Sequence, residues 1–320
     1  MKIKSLFLGL GLSLLGLFVQ AQNGLENVIV ERYYVSDAAD AAGSVGLLPV
    51  GSVTYRIYAD LLPGYKVQTI FGIPTHPLLM STTTSFFNNE DYGNTIPTFS
   101  ATNARKNTVM LDSWLTTGEA CAGYNGILKT EDNGVGTFVN TNGLLQNNAA
   151  QAGIPLTTQD GMLSGTVPNT GTMGLDAVIG VFGDGSANGN TFLVNDGSWY
   201  CLAGSAGPDP LTNKVLIAQI TTNGTFHFEL NIQIGTPLGG TENYVYSNPT
   251  GVELTIPSLI RTLLPVPAPP TVNITAPSNN STFLIGSQIG ITAAAADADG
   301  SITQVEFFVD GTSISVDAIS

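Results

Sequence analysis

The sequence predicts an all-β chain: a β-sandwich main domain with long loops, followed by a smaller β module. Three observations carry this. In Lys214–Gly235, Phe226, Phe228, Leu230, Ile232 and Ile234 alternate with His227, Glu229, Asn231 and Gln233, a period of two that puts the apolar set on one face of a strand. The composition holds 37 Gly, 17 Pro and only 11% charged residues, poor in helix formers and rich in turn formers. Turn signals recur about every ten residues along the first half, the rhythm of a sandwich or barrel.

Asn223-Gly224 precedes the alternating run, and both residue types tolerate the positive φ of a type I′ turn. Lys214–Gly235 is therefore expected to be a β-hairpin near the centre of the main domain, its Phe-Phe-Leu-Ile-Ile face filling the core. His227, Glu229, Asn231 and Gln233 form the opposite, polar face.

The formal net charge is −14. Nucleic acid is excluded as a partner, because its phosphates need Lys and Arg, and no basic cluster follows the N-terminus. Met1–Ala21 reads as a secretion signal: Lys2 and Lys4, then the apolar run Leu6–Val19, then small residues at Val19 and Ala21. The mature chain is expected to begin near Gln22. No later segment is long and apolar enough to span a membrane as a helix. The predicted localisation is secreted or cell-surface.

The main domain is assigned to Gln22–Leu264. Strands are expected at Asn27–Ser36, Ser52–Asp60, Tyr65–Gly72, Leu78–Thr84 with Ser85–Phe87, Val109–Leu115 and Tyr124–Lys129. Asp37–Leu48 reads as a loop. Glu131–Asp209 is dense in Gly, Asn, Asp and Thr, with short apolar islands such as Val178–Phe182 and Phe192–Val194. It is expected to supply long loops between short strands, where an all-β scaffold often carries its binding surface. Tyr244–Tyr246 and Val252–Ile256 offer a last strand or two, and Ser258–Leu264 at most a turn or two of helix. Pro265–Pro270 (PVPAPP) is a semi-rigid linker.

Thr271–Ser320 is the second module. Its stretches TVNITAPSNNSTF, IGITAAAADADG and SITQVEFFVDG resemble a bacterial Ig-like domain. The resemblance covers about the last 50 residues and implies an Ig-like β-sandwich acting as spacer or adhesion module; it transfers no catalytic residue. Such domains are commonly longer, so this module is expected to be incomplete, with an open sheet edge. The main domain, through VIVERYYVSD, LPVGSVTYRIYAD, LDSWL, IPLTTQDG and Lys214–Gly235, resembles a β-rich domain that precedes such modules in secreted bacterial proteins. That likeness implies location and neighbourhood and carries no mechanism.

Cys121 and Cys201 are the only cysteines. In a secreted chain an even count favours a disulfide between them, closing a loop of about 80 residues worth up to ~4 kcal/mol. Two buried thiols or one reactive thiol are the alternatives. His76 and His227 read as surface histidines, with no nucleophile motif beside either. Glu90-Asp91, Glu131-Asp132, Asp176 and Glu229 are the acids a glycosidase would draw on, though adjacent acids on a strand point to opposite faces.

Calcium is the best-matched small ligand, because hard cations take several oxygens. The loops holding Asp184, Asn188 and Asn190, and Asp297 and Asp299, carry that chemistry; the same residues also favour plain turns. Trp114, Trp199 and Tyr200 are candidates for stacking on a ligand ring, with core packing as the alternative. The first functional expectation is non-catalytic binding or scaffolding, related to adhesion or extracellular matrix, with a glycan or surface protein as partner. A carbohydrate-binding module of a larger polysaccharide-active protein is the alternative, and a glycoside hydrolase ranks third.

Overall fold

The computed structural model describes residues 23–96, 108–117, 170–183, 189–201, 208, 210–267, 270–297 and 300–318. Within them the chain is all-β apart from one short helix and single 3-10 turns. One sheet of the main domain holds β1 (Leu25–Val35), β2 (Val53–Leu61), β9 (Lys214–Thr222) and β5 (Trp114–Leu115), in the order β1-β2-β9-β5. Facing it are a four-stranded sheet, β13 (Ile260–Leu263), β10 (Phe226–Glu229), β4 (Leu78–Thr82), β7 (Thr191–Val194), and a five-stranded sheet. The latter runs β12 (Thr241–Tyr244), β11 (Ile232–Gly235), β3 (Lys66–Gly72), β8 (Gly197–Cys201), β6 (Thr170–Met173).

These two sheets are halves of one bent surface. Strands β10-β4-β7 keep the same neighbours when the chain continues as β11-β3-β8, across a corner at Leu230-Asn231, Ile73–His76 and Asn195-Asp196. Gly72 and Gly197 lie opposite each other there. A Cβ on Gly72 would collide with the Val194 carbonyl, so the corner requires a residue without one. Asn231 braces the bend from inside. It is fully buried; its Nδ2 donates to Phe71 O at 3.0 Å and His76 O at 2.8 Å, and its Oδ1 accepts from Tyr246 N at 3.1 Å.

The expected hairpin at Lys214–Gly235 does not form. β9 pairs with β2 and β5, whereas β10 pairs with β4 and β13. Asn223-Gly224 thus carries the chain from one layer of the sandwich to the other, and neither residue has positive φ. Gly224 is needed for space instead: a Cβ there would lie 2.5–2.8 Å from the hydroxyls of Thr82, Thr83 and Thr84. The alternation after it holds. Phe226, Phe228, Leu230, Ile232 and Ile234 are all fully buried in the main core, each worth about 1.5–3 kcal/mol of burial. The polar set is interrupted at the corner, where Asn231 turns inward while His227, Glu229 and Gln233 stay half-buried on the outside.

Other expectations shift locally. Asp37–Leu48 contains a helix, α1 (Ala38–Gly43), in an alanine-rich run. It starts on a reciprocal cap: Asp37 Oδ1 accepts from Asp40 N, and Asp40 Oδ2 accepts from Asp37 N. Val109–Leu115 is a 3-10 turn at Val109–Leu111 followed by the two-residue β5. Ser258–Leu264 begins in a 3-10 turn, Pro257–Leu259, and continues as β13. Trp199-Tyr200, placed among loops by composition, lies on β8. Tyr124–Lys129 and most of Glu131–Asp209 lie outside the described residues. Val266, in the Pro-rich linker, packs on the main core.

The C-terminal module holds two antiparallel pairs: β14 (Thr271–Ala276) with β15 (Thr292–Ala296), and β16 (Gln304–Val309) with β17 (Thr312–Ala318). Here the Asx-Gly turn works as the sequence rule says: Asp310 and Gly311 have φ of 48° and 79°, joining β16 and β17 in a hairpin.

Candidate functional site

The two tryptophans proposed for stacking are core residues. Trp114 is 1% exposed and clusters with Tyr58 and Leu216. Trp199 is 2% exposed; its Nε1 donates to Thr116 O at 3.0 Å and Ile217 O at 3.1 Å, and its ring centroid lies 6.1 Å from that of Phe192. Neither presents a face to a ligand. Tyr200, one residue on, points to the opposite side of the sheet as strand geometry demands, and it is half-buried. Cys201 is buried at the end of β8, while Cys121 lies outside the described residues.

Of the calcium candidates, Asp184, Asn188 and Asp299 also lie outside. Asn190 Oδ1 accepts from Thr191 Oγ1 at 2.9 Å. Asp297 Oδ1 accepts from Gly300 N, three residues on, at 2.9 Å. A Cβ on Gly300 would sit 2.5 Å from the Asp297 carboxylate, so glycine there suits this bond. Among the described residues no group of three His, Cys, Asp or Glu side chains is arranged to hold a metal.

His76 is buried at 4% exposure, not a surface residue. Its Nε2 lies 3.2 Å from Glu253 Oε2. The same carboxylate oxygen accepts from Thr250 N at 2.7 Å and Thr250 Oγ1 at 2.8 Å. The two bonds from Thr250 are the main reason the Glu253 carboxyl is held below its usual range, with the His76 contact adding to them. This cluster pins the loop between β12 and β13 to the corner of the bent sheet.

A buried polar layer covers the other face of the first sheet. Arg56 is fully buried on β2; its guanidinium stacks 3.7 Å from the centre of the Tyr33 ring, and its Nε donates to Gln219 Oε1 at 3.1 Å. Gln219 Nε2 donates in turn to Met110 O and Asp112 O. The Asp112 carboxylate accepts from Asn89 N at 2.9 Å and Asn94 N at 2.8 Å. Burial pushes its pKa well up, and those backbone donors pull it partly back. This network fastens the segment around Asn89–Asn94 and Val109–Ser113 onto the sheet and is scaffold.

The outer face of the bent sheet brings together residues remote in sequence. On the four-stranded half, register sets Thr262, His227, Ser81 and Thr191 in one row across four strands. His227 Nδ1 lies 2.9 Å from Thr262 Oγ1, and its Nε2 lies 3.4 Å from Glu229 Oε1. The hydroxyl, imidazole and carboxylate superficially resemble a nucleophile, base and orienter. β10 is paired on both sides, so its own backbone N–H groups are committed to the ladders.

On the five-stranded half, Asn243, Gln233, Thr69 and Tyr200 stand side by side on β12, β11, β3 and β8. Gln233 Nε2 donates to Asn243 Oδ1 at 2.7 Å, and Thr69 Oγ1 donates to Trp199 O at 3.2 Å. Tyr200 lies opposite Gly171 on β6. A Cβ on Gly171 would meet its Oη at 3.1 Å and Cζ at 3.3 Å, so the phenol end covers the bare backbone of the neighbouring strand. The next row is Phe71, Ser198 and Met173, with Met173 65% exposed. Of this face the sequence singled out only Tyr200 as a binding residue and placed Gln233 on the polar side of its strand; Thr69 and Asn243 join them through pairings between strands that are distant along the chain.

Residues 270–320 match the family model of the bacterial Ig domain, in agreement with the resemblance of the C-terminal module. No curated protein matches the chain, and no solved structure does. Among the described residues no helix is long and apolar enough to cross a membrane.

Proposed function

We propose that this chain is a secreted or cell-surface protein that binds and scaffolds without catalysis, taking an extracellular glycan or a surface protein as partner in adhesion or matrix assembly. The observation that carries this reading is the outer face of the five-stranded half-sheet, where amide, hydroxyl and aromatic side chains from four strands stand in one row. Such a face offers a partner contact area and hydrogen-bonding groups. The bacterial Ig domain at residues 270–320 supports an extracellular or surface setting, as does the basic-then-apolar N-terminal stretch of the sequence. A disulfide between Cys121 and Cys201 is part of the same reading, since export supplies the oxidising compartment.

The setting is tested by expressing the full chain in a bacterial host, fractionating the cells and sequencing the recovered N-terminus. The expected product lies outside the cytoplasm and begins near Gln22. Cytoplasmic recovery with Met1 retained would overturn it. Binding is tested by incubating that product with intact bacterial cells and extracted matrix, where sedimentation with neither would remove the adhesive role.

A further inference from the structure

We infer that the row Asn243–Gln233–Thr69–Tyr200 is a subsite for one uncharged polysaccharide chain laid across the strands of the five-stranded half-sheet. The inference rests on the extracellular-binding reading and names the ligand class for its site. Neighbouring strands lie about 4.8 Å apart, so four side chains on four strands span about 14 Å. That is a linear track suited to a polymer rather than a pocket suited to a single small molecule.

The chemistry of the row is that of hydroxyl recognition. With Gln233 Nε2 and Asn243 Oδ1 bonded to each other, Gln233 Oε1 stays open as an acceptor and Asn243 Nδ2 as a donor. Thr69 Oγ1 uses its proton on Trp199 O and keeps lone pairs for a ligand hydroxyl. Each is a neutral group that pairs with an alcohol in either direction, at no cost of burying a charge.

Tyr200 supplies the apolar part. With its phenol end held over Gly171, the ring is braced by backbone and can take the C–H face of a sugar ring against its own. Any larger residue at 171 would displace the ring, which gives that glycine a role on the binding face. Phe71 and Met173 in the adjacent row widen the apolar contact. No member of either row is charged, and a chain of net charge −14 repels anionic polymers. The complementary ligand is thus neutral.

The test is native affinity electrophoresis of the full chain through gels holding a soluble β-glucan, a galactomannan, a neutral xylan or an α-glucan, with alginate as the anionic comparison. At least one neutral polymer is expected to retard the wild type and alginate to leave it unmoved. Tyr200→Ala should weaken retardation about tenfold, the scale of one lost aromatic contact. Tyr200→Phe should keep most of it, and Gln233→Ala should weaken it severalfold. His227→Ala, on the other half-sheet, should change nothing. Thermal melts of each variant show whether the fold is retained, and the Tyr200→Phe and Gln233→Ala arms stand if Tyr200→Ala fails to fold. Passage unretarded through every neutral gel, stronger retardation by alginate, or indifference to Tyr200→Ala and Gln233→Ala would overturn the subsite. Sedimentation with cells through a protein receptor, without polysaccharide retardation, would sink the subsite alone and leave the extracellular-binding reading standing.

Discussion

Replacing Asn231 by Ala should loosen the corner on which both halves of the bent sheet depend. The side chain makes three hydrogen bonds inside the core, to Phe71 O, His76 O and Tyr246 N. The His76 carbonyl keeps a bond from Ile73 N at 3.1 Å, so the loss falls chiefly on Phe71 O and Tyr246 N. A buried polar group left without a partner costs about 1–3 kcal/mol. Two such groups give about 2–6 kcal/mol, a large share of the 5–15 kcal/mol typical of a whole domain. Asn231→Asp is nearly isosteric and sharpens the argument. Its carboxylate would set an oxygen against two carbonyl oxygens in a dry site, so at neutral pH it should be worse than Ala. Burial raises the folded-state pKa of the introduced acid above its unfolded value. The folded state therefore binds the proton more tightly, and the deficit of this variant relative to wild type should shrink as pH falls through that raised pKa. Urea unfolding followed by tryptophan fluorescence reads both effects as midpoint shifts at constant slope. An Asn231→Ala variant within about 0.5 kcal/mol of wild type would refute the reasoning, because the bend would then be held by apolar packing alone.

Further outcomes follow from the same geometry. Trp199→Phe removes a donor shared by Thr116 O and Ile217 O and should destabilise the fold by about 1–3 kcal/mol while leaving ligand retention intact; retention lost without any change in stability would return Trp199 to the binding site. Gly224→Ala drives a methyl group toward three threonine hydroxyls and should cost about 1–3 kcal/mol by overpacking, measured by chemical denaturation; a neutral or stabilising result would mean the crossing between layers is loosely packed. Glu253→Gln addresses pH. Because the folded-state pKa of Glu253 is depressed below its ordinary 4.5, its ionisation stabilises the fold above that value and ceases to do so as pH falls through the depressed one. The stability gap between wild type and Glu253→Gln should therefore hold from neutral pH down to the ordinary carboxyl range and close as pH falls through the depressed value, as paired thermal melts would record.

The core was legible because burial imposes its own period. The five apolar residues from Phe226 to Ile234 are buried as their alternation requires, even though the strand breaks midway and changes partners. Topology was not legible from Asn223-Gly224, since the dipeptide satisfies a tight turn equally well as it satisfies a crowded crossing. What decides between them is the threonine wall at Thr82–Thr84, a tertiary fact. The sequence did hold a clue: KVLIAQITT carries the continuous apolar run Val215–Ala218, as befits β9, which is buried on both faces, whereas FHFELNIQIG alternates. Two strands so unlike in pattern occupy different layers.

The candidate site was only partly visible for a related reason. Trp199 and Tyr200 look equivalent in sequence, and strand register alone turns one into the core and the other outward. Thr69, Gln233 and Asn243 are ordinary polar residues until β3, β11 and β12 pair, so no local pattern marks them. The calcium reading of Asp297 and the turn reading draw on the same oxygens, one of which accepts from Gly300 N. His76 looked superficial because it precedes a proline in a loop, but that loop folds into the inside of the corner.

The most direct test of a non-catalytic extracellular binder is to incubate the purified full-length chain with insoluble neutral polysaccharide and assay two things in one tube. One is the fraction of protein sedimenting with the polymer; the other is the release of reducing ends over a day. Protein retained on the polymer with no reducing ends above the no-protein control is the predicted result. Reducing ends that rise with protein concentration would contradict the non-catalytic account, and protein that stays wholly in the supernatant would contradict the polysaccharide subsite on which its binding face is placed.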